Sequence, residues 1–273
     1  IANTLTESTN LKDELINSTY KIKKYTKLLA IPTTAGTGSE VARASVLILN
    51  TGEKRIVASP HLIPKFAILD PELTLGLPPL LTGATGMDAV THCIEAICSP
   101  VENPNAEAIG VDGLERALGR GALLAAVADG TNRQARSDML LASTQGAMAF
   151  SKGLGAVHAM SHACGKDQTL NLHHGTLNAV LLPAVIQFNT GSAGHKYSKI
   201  TKAMGLAENA DLADAIVRLN FKLGLPSSLS SMGITTDMIP DMAVHCMNDM
   251  CTATNPTAMT RDSYASLFKQ VLA

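Results

Sequence analysis

The chain has 273 residues, of which 46% are hydrophobic, 16% are charged and 3% are aromatic. This is the composition of a folded globular protein, and its length allows one large domain or two of ordinary size. Lys and Arg (22) nearly balance Asp and Glu (23) and form no basic cluster, which argues against nucleic acid and against an anionic membrane surface as partners.

The cysteines and the apolar runs indicate a cytoplasmic protein. The five Cys residues include no CxxC pair, so we expect buried, reduced thiols rather than disulfides or a zinc ribbon. We find no signal peptide and no apolar run near the roughly 18–20 residues that a membrane span needs.

Short apolar segments follow a polar, weakly helical stretch at residues 1–25. Bounded by turn residues, they predict strands at 27–31, 44–50, 54–58 and 65–70. Thr51-Gly52 is a plausible hairpin turn between the second and the third of them. Residues 1–78 are therefore expected to form a small α/β part.

The pattern changes to helical spacing after Pro78-Pro79. Stretches rich in Ala, Leu, Met and Glu predict helices at 84–98, 104–127, 133–152, 155–164, 176–189, 208–224 and 257–272. Pro183 is expected to kink or end one of them. Residues 79–273 are expected to form a large all-helical part.

A loop rich in glycine and hydroxyl groups, residues 33–40 (TTAGTGSE), follows the first predicted strand. Its backbone N–H groups could approach a phosphate closely, and its Thr and Ser hydroxyls would add donors. An ordinary loop that caps a following helix explains the same residues equally well. The loop is neither a GxGxxG nor a Walker motif.

Asp88 and His92 lie four residues apart in GMDAVTHCIEA, so both emerge from one face of a helix, with Glu95 one turn later. A carboxylate and an imidazole at this spacing can chelate one divalent ion. For an isolated pair, a simple Asp–His hydrogen bond is the commoner arrangement.

His158 and His162 repeat this spacing in GLGAVHAMSHACG, where Ala159 excludes the HExxH motif of zinc proteases. His173-His174 opens another helical stretch. Three histidine-bearing helical segments in one apolar chain favour a metal site over structural histidines. The other histidines are interpreted as surface or core residues: His61, His195 and His245.

Several segments resemble, in chain order, the signature sequences of the iron-containing (group III) alcohol dehydrogenases, which have a dehydroquinate synthase-like fold. They are IPTTAGTGSEV, ILDPELT, LPPLLTGATGMDAVTHCIEA, GLGAVHAMSHACG and HHGTLNAVLLP, within about residues 28–190. The resemblance implies that residues 1–78 are part of an α/β domain that binds NAD(P). Residues 79–273 would be the all-helical catalytic domain that holds Fe²⁺, or sometimes Zn²⁺.

The resemblance also assigns residues. The implied metal ligands are Asp88, His92, His158 and His174. His162 matches a histidine beside the nicotinamide, which would relay the proton. The implied cofactor contacts are Thr33, Thr34, Gly36, Thr37, Gly38, Ser39 and Lys54.

The chain departs from the family pattern at two places. The GGGS phosphate loop of the family, expected upstream of Thr33, is absent from this sequence. The segment KDQTLNLHHG is about two residues longer than its family counterpart, which leaves His173 or His174 as the fourth ligand. We choose His174 because it directly precedes Gly175, as the family ligand precedes its glycine.

The resemblance implies hydride transfer between a small alcohol or aldehyde and NAD(P), with a metal ion that stabilises the alkoxide. Asp and His also accept Mn²⁺ or Co²⁺, and a homodimer is a possible assembly. Two alternatives stay open: a metal-dependent hydrolase with the same ligands, and a catalytically silent remnant. We expect the 273-residue chain alone to bind metal but to bind NAD(P)H poorly and turn over little, and the full-length parent to oxidise small alcohols at a metal-dependent rate.

Overall fold

The computed structural model describes residues 27–48, 54–167 and 169–273, except for the side chains of residues 48 and 54–56. The helical stretch predicted at 1–25 and the predicted Thr51-Gly52 turn lie outside the described residues. The described chain begins with two small sheets and continues with helices.

Both sheets have two strands. The strands are β1 (Leu29–Ala30), β2 (Ala44–Ile48), β3 (Lys54–Ala58) and β4 (Phe66–Ala67). β1 pairs with β4 in parallel, with Leu29 opposite Phe66, and β2 pairs with β3 as an antiparallel ladder, with Ala44 opposite Ala58. Each strand lies where an apolar run predicts one, but β1 and β4 are only two residues long.

Helices dominate the described chain after residue 78. They are α1 (Pro79–Cys98), α2 (Pro104–Leu114), α3 (Ala122–Ala128), α4 (Arg133–Ala149), α5 (Ala156–Cys164), α6 (His174–Ala193), α7 (Tyr197–Ala203), α8 (Leu212–Lys222), α9 (Ile239–Met247) and α10 (Arg261–Leu272). The predicted fold class, a small α/β part followed by a large helical part, is confirmed. The domain boundary near residue 78 stays a prediction.

Some of the predicted helix boundaries differ from those in the structure. The helix predicted over 104–127 is interrupted, because Gly121 adopts a left-handed conformation (φ 74°) between α2 and α3. α6 continues through Pro183 and does not end there. The short helices α7 and α9 were not predicted.

The helix α1 lies at the centre of the helical part. It packs against α2, α4 and α6, and every residue from Thr82 to Cys98 is buried. Its small residues allow this close packing: a Cβ on Gly86 would overlap the side chain of Leu123. A central, buried helix gives the polar side chains on α1 fixed positions.

Two further expectations concern the core and the membrane. All five cysteines are free and buried, as expected. In the part of the chain that the structure describes, no helix is both long and apolar enough to cross a bilayer.

Candidate metal centre

Three helices supply the charged and imidazole side chains of the centre. α1 carries Asp88 and His92 on successive turns, both less than 5% exposed. α5 carries His158, which is 2% exposed, and His174 is the first residue of α6. The i, i+4 spacing on α1 therefore places a carboxylate and an imidazole on one face, as expected.

The imidazoles surround one oxygen of Asp88. Oδ1 of Asp88 lies 3.7 Å from Nε2 of His92, 3.7 Å from Nε2 of His158 and 3.5 Å from Nε2 of His174. Ligand atoms about 2.1 Å from an ion in a tetrahedral arrangement lie about 3.4 Å apart. These three separations are close to the spacing of donor atoms around a single divalent ion, and the ligand atoms of Asp88, His92 and His158 also lie within 4.8 Å of one another.

Neighbouring side chains fix two of the rings. Nδ1 of His158 lies 2.5 Å from Oε2 of the buried Glu95, and Nδ1 of His174 lies 2.9 Å from Oγ of Ser161. Glu95 accepts the Nδ1 proton of His158, so the Nε2 edge of that ring faces Asp88. The amide nitrogen of Asn178 donates to Oδ1 of Asp88 at 2.7 Å.

The pKa values separate the charged groups of the cluster from the neutral ones. Burial lowers the pKa of His92 to about 4, so its imidazole is neutral at pH 7. Burial also lowers the pKa of His158, but Glu95 and Asp88 outweigh it and raise the value to about 9. Burial raises the pKa of Asp88, yet His92 and the other two imidazoles hold it well below its usual range. The carboxylate is therefore ionised.

His162 lies beside this cluster, one turn after His158. Its ring stacks on that of His174, with centroids 5.5 Å apart, and its Nδ1 lies 2.8 Å from Oδ2 of Asp249. The His162 side chain is 31% exposed, whereas that of Asp249 is only 9% exposed. Asp249 thus orients an imidazole that stays open to a small molecule.

The loop at residues 33–40 lies against the same part of α1. Oγ1 of Thr37 donates to Oδ2 of Asp88 at 3.4 Å, and a Cβ on Gly36 would lie 3.4 Å from that oxygen. Gly38 has a φ of 66°, and a Cβ there would lie 2.6 Å from the carbonyl oxygen of Ser143. Both glycines are needed for the loop to approach the helices. Its four hydroxyl-bearing residues are exposed: Thr33, Thr34, Thr37 and Ser39.

The alternative interpretation of this loop, as a cap of a following helix, is wrong. No helix begins after Ser39; the chain instead turns and enters β2 at Ala44. Glu40, in place of a helical start, is buried and accepts a hydrogen bond from Oγ1 of Thr144 at 2.6 Å. The side chain of Lys54 lies outside what the structure describes.

The structure separates the two adjacent histidines of HHG. His173 is exposed and caps α6, accepting a hydrogen bond from the Thr176 N–H at 3.3 Å, whereas His174 reaches Asp88. The choice of His174 agrees with this geometry, and its role as a ligand stays a prediction.

Three polar residues around the centre were not singled out from the sequence. Ser161 and Asn178 are at helical spacing from His158 and His174, which is a weak signal. Asp249 is 87 residues from its partner His162, so no local spacing could reveal that pair. A 650 Å³ groove lies elsewhere, lined by Glu107, Lys152, Lys196 and Lys199 among others, and none of the histidines lines it.

Comparison with known proteins supports the resemblance. Residues 82–272 match the C-terminal domain of the Fe-containing alcohol dehydrogenase family, and residues 1–71 match the iron-containing alcohol dehydrogenase model. Among curated relatives, 4-hydroxybutyrate dehydrogenase from Cupriavidus necator is 48% identical over 254 residues, covering 90% of this chain and 66% of the relative. The 1,3-propanediol dehydrogenase from Klebsiella pneumoniae is 38% identical over 255 residues, covering 89% and 64%.

Solved structures have the same fold. A 1,3-propanediol oxidoreductase superposes with a TM-score of 0.85 at 34% identity, covering 96% of this chain and 73% of that one. Sulfoacetaldehyde reductase from Bifidobacterium kashiwanohense, in complex with NAD⁺, superposes with a TM-score of 0.88 at 26% identity, covering 99% and 71%.

The chain spans 64–66% of the length of the two curated relatives. The expected cofactors, Fe²⁺ and NAD(P), agree with the family, with the NAD⁺ complex of a structural neighbour and with the cluster of Asp88, His92 and His158. These matches and the helical fold show that the chain belongs to the iron-containing alcohol dehydrogenase family.

Proposed function

We propose that the protein transfers a hydride between a small primary alcohol or aldehyde and NAD(P). We further propose that Asp88, His92, His158 and His174 hold the divalent ion, with Fe²⁺ as the expected metal. The observation that carries this proposal is the position of three imidazole Nε2 atoms 3.5–3.7 Å from one oxygen of Asp88.

The donor set fits such an ion. One carboxylate and three imidazoles are ligands that Fe²⁺ and Zn²⁺ both accept, and four protein donors leave further positions free at an iron centre. When bound, the ion supplies Lewis acidity to a substrate oxygen, and NAD(P) supplies the hydride acceptor.

His162 is proposed to move the proton. Asp249 fixes the ring through Nδ1, which leaves Nε2 to exchange a proton with the substrate hydroxyl. The partial exposure of His162 supports onward transfer to solvent. Asp88, His92 and His158 are buried among apolar residues of α1 and α5, which keep water from these three side chains. The His174 side chain is 39% exposed.

The loop at residues 33–40 is proposed to contact the dinucleotide. Its exposed hydroxyls and its contact with Asp88 through Thr37 support this assignment, because they put the loop beside the metal centre. Lys54 remains part of the proposed contact set on the strength of the family match alone.

The substrate class follows from chemistry shared by the relatives. Their names specify 4-hydroxybutyrate and 1,3-propanediol, both short primary alcohols. We propose the same class here. A hydrolase gains no support, since the relatives reported above are dehydrogenases and a reductase.

The test combines metal analysis with activity. The purified full-length protein should contain about one divalent ion per chain and should oxidise NADH or NADPH with short aldehydes such as succinate semialdehyde and 3-hydroxypropanal. His92→Ala should lose the ion and the activity. His195→Ala, which changes an exposed histidine in the short 3₁₀ turn Gly194–Lys196, should retain both. Equal loss of metal in the two variants would refute the ligand assignment.

A further inference from the structure

A second group of potential ligands lies next to the first. A ring nitrogen of His162, a carboxylate oxygen of Asp249 and Sγ of Cys251 lie within 4.8 Å of one another. Nδ1 of His162 is 2.8 Å from Oδ2 of Asp249. The second oxygen, Oδ1, accepts the Cys251 N–H at 2.8 Å, which holds the cysteine backbone against the carboxylate.

The segment that carries Asp249 and Cys251 is firmly anchored. It is a short 3₁₀ turn, Met250–Thr254, for which Asp249 is the N-cap. Oγ1 of Thr252 donates to the carbonyl oxygen of Cys246 at 2.6 Å, and Oγ1 of Thr254 donates to that of Leu154 at 2.6 Å. These bonds tie the turn to α9 and to the start of α5, so the three ligand atoms need little rearrangement to meet one ion.

We propose that His162, Asp249 and Cys251 form a second divalent cation site that takes Zn²⁺. One thiolate, one imidazole and one carboxylate are a typical donor set for zinc, and sulfur distinguishes this set from the all-oxygen-and-nitrogen first cluster. The two anionic ligands neutralise the ion, which suits a mostly buried position. The His162 side chain is 31% exposed, so we expect water to supply the fourth ligand.

Binding at this site requires loss of one proton. Cys251 is buried, and its thiol proton must leave before sulfur can bind the ion. On binding, sulfur bonds to the ion and its proton goes to solvent. The first cluster offers four donor side chains and the second only three, so we expect the first to fill before the second.

Occupation of the second site would inhibit the enzyme. This consequence depends on the proposed function, in which His162 relays the proton. A ring nitrogen bound to zinc, together with a lost contact to Asp249, takes His162 out of proton transfer. Excess Zn²⁺ should therefore inhibit NAD(P)H oxidation even when the first site stays loaded.

Cobalt is the sharpest probe, because only the second site has a sulfur ligand. The protein loaded with one equivalent of Co²⁺ should show no thiolate-to-cobalt charge-transfer absorption, and a further equivalent should produce it. Cys251→Ser and Cys251→Ala should abolish this absorption and still bind the first equivalent. Cys98→Ser is the matched control, since Cys98 is also buried but lies at the end of α1, and it should behave like the wild type.

Zinc inhibition gives the second measurement. Cys251→Ser should raise the Zn²⁺ concentration for half inhibition about tenfold or more, which corresponds to only about 1.4 kcal/mol. A second cobalt equivalent without charge-transfer absorption, or absorption that persists in Cys251→Ser, would overturn the proposal. If Co²⁺ does not bind at the first cluster of the wild type, the proposed function is refuted. Charge-transfer absorption that depends on Cys251 would still support the second site in that case.

Discussion

Oε2 of Glu95 lies 2.5 Å from Nδ1 of His158, while the other carboxylate oxygen accepts the Val157 N–H at 2.8 Å. One buried side chain of α1 therefore both orients a proposed metal ligand and caps the first turn of α5. A carboxylate behind a ligating histidine fixes its tautomer and makes its Nε2 a better donor. Glu95 thus links the position of α5 to the chemistry of the centre.

Glu95→Gln should weaken metal binding about 10- to 100-fold. Glutamine keeps the size of the side chain but removes the charge that strengthens His158, and its single oxygen cannot accept from both the ring and Val157. Competition with a chelator of known affinity measures the effect. Glu208→Gln, at a side chain 70% exposed, should leave the affinity unchanged.

Asn255→Ala tests whether Glu95 acts by capping α5 or by orienting His158. Oδ1 of Asn255 accepts the Ala156 N–H at 3.1 Å, so it supports the same helix terminus without touching His158. This variant should lower thermal stability and retain most of the metal affinity. If Asn255→Ala and Glu95→Gln lose affinity equally, the role of Glu95 is only structural.

The sequence predicts the centre well where its parts are local. The spacing of Asp88 and His92 on one helix, and of His158 and His162 on another, follows directly from helical periodicity. The convergence of α1, α5 and α6 does not follow from it, because packing between distant segments sets their relative positions. That convergence was expected from the presence of three histidine-bearing segments and from resemblance to a family, and not from the spacing within any one helix.

The missed features depend on tertiary contacts. Asp249 reaches His162 because a short turn after α9 packs against α5, and no pattern in the sequence encodes that approach. The loop after β1 also fitted the cap of a following helix, but Glu40 instead accepts a hydrogen bond from Thr144, 104 residues away. This buried hydrogen bond outweighs the local preference for a capped helix.

Acid should destabilise the protein through Glu107. Burial raises the pKa of Glu107, but hydrogen bonds from Lys199 and Lys152 outweigh it and lower the value from 4.5 to about 2. The stabilisation that the ionised carboxylate provides is therefore complete above about pH 4.5 and is lost as the pH falls through about 2.

Glu107→Gln should reduce the free energy of unfolding by about 1–3 kcal/mol at pH 7, because Lys152 is buried and loses its counter-charge. The difference from the wild type should shrink as the pH falls from 4.5 towards 2. Urea unfolding at pH 7 and pH 3 measures it. A difference that grows in acid would contradict the assigned direction of the pKa shift.

The cysteines should resist alkylation in the folded protein. Burial raises the pKa of Cys93, Cys98 and Cys164 to about 12, so almost no thiolate exists at pH 7.5. Labelling with iodoacetamide should be at least about 1000-fold slower than for a free cysteine. All five thiols should react after denaturation, as counted by mass spectrometry; rapid native labelling would show that the helices open readily.

Gly175→Ala should disrupt the centre, whereas Gly191→Ala should not. A Cβ on Gly175 would overlap the carbonyl oxygen of Ala84 and lie 3.3 Å from Cβ of Asp88, while a Cβ on Gly191 would meet nothing within 4 Å. Both residues belong to α6, so helix propensity alone predicts that each change stabilises the protein by up to about 1 kcal/mol.

At position 175 the overlap outweighs that gain, because the backbone of α1 cannot move without shifting Asp88. We expect Gly175→Ala to lower the melting temperature and to weaken metal binding, and Gly191→Ala to raise the melting temperature slightly with unchanged binding. Differential scanning calorimetry, with and without Co²⁺, measures both effects. An unchanged metal affinity in Gly175→Ala would mean that α6 can withdraw from α1 and still present His174, and the close contact of these two helices would then not set the geometry of the site.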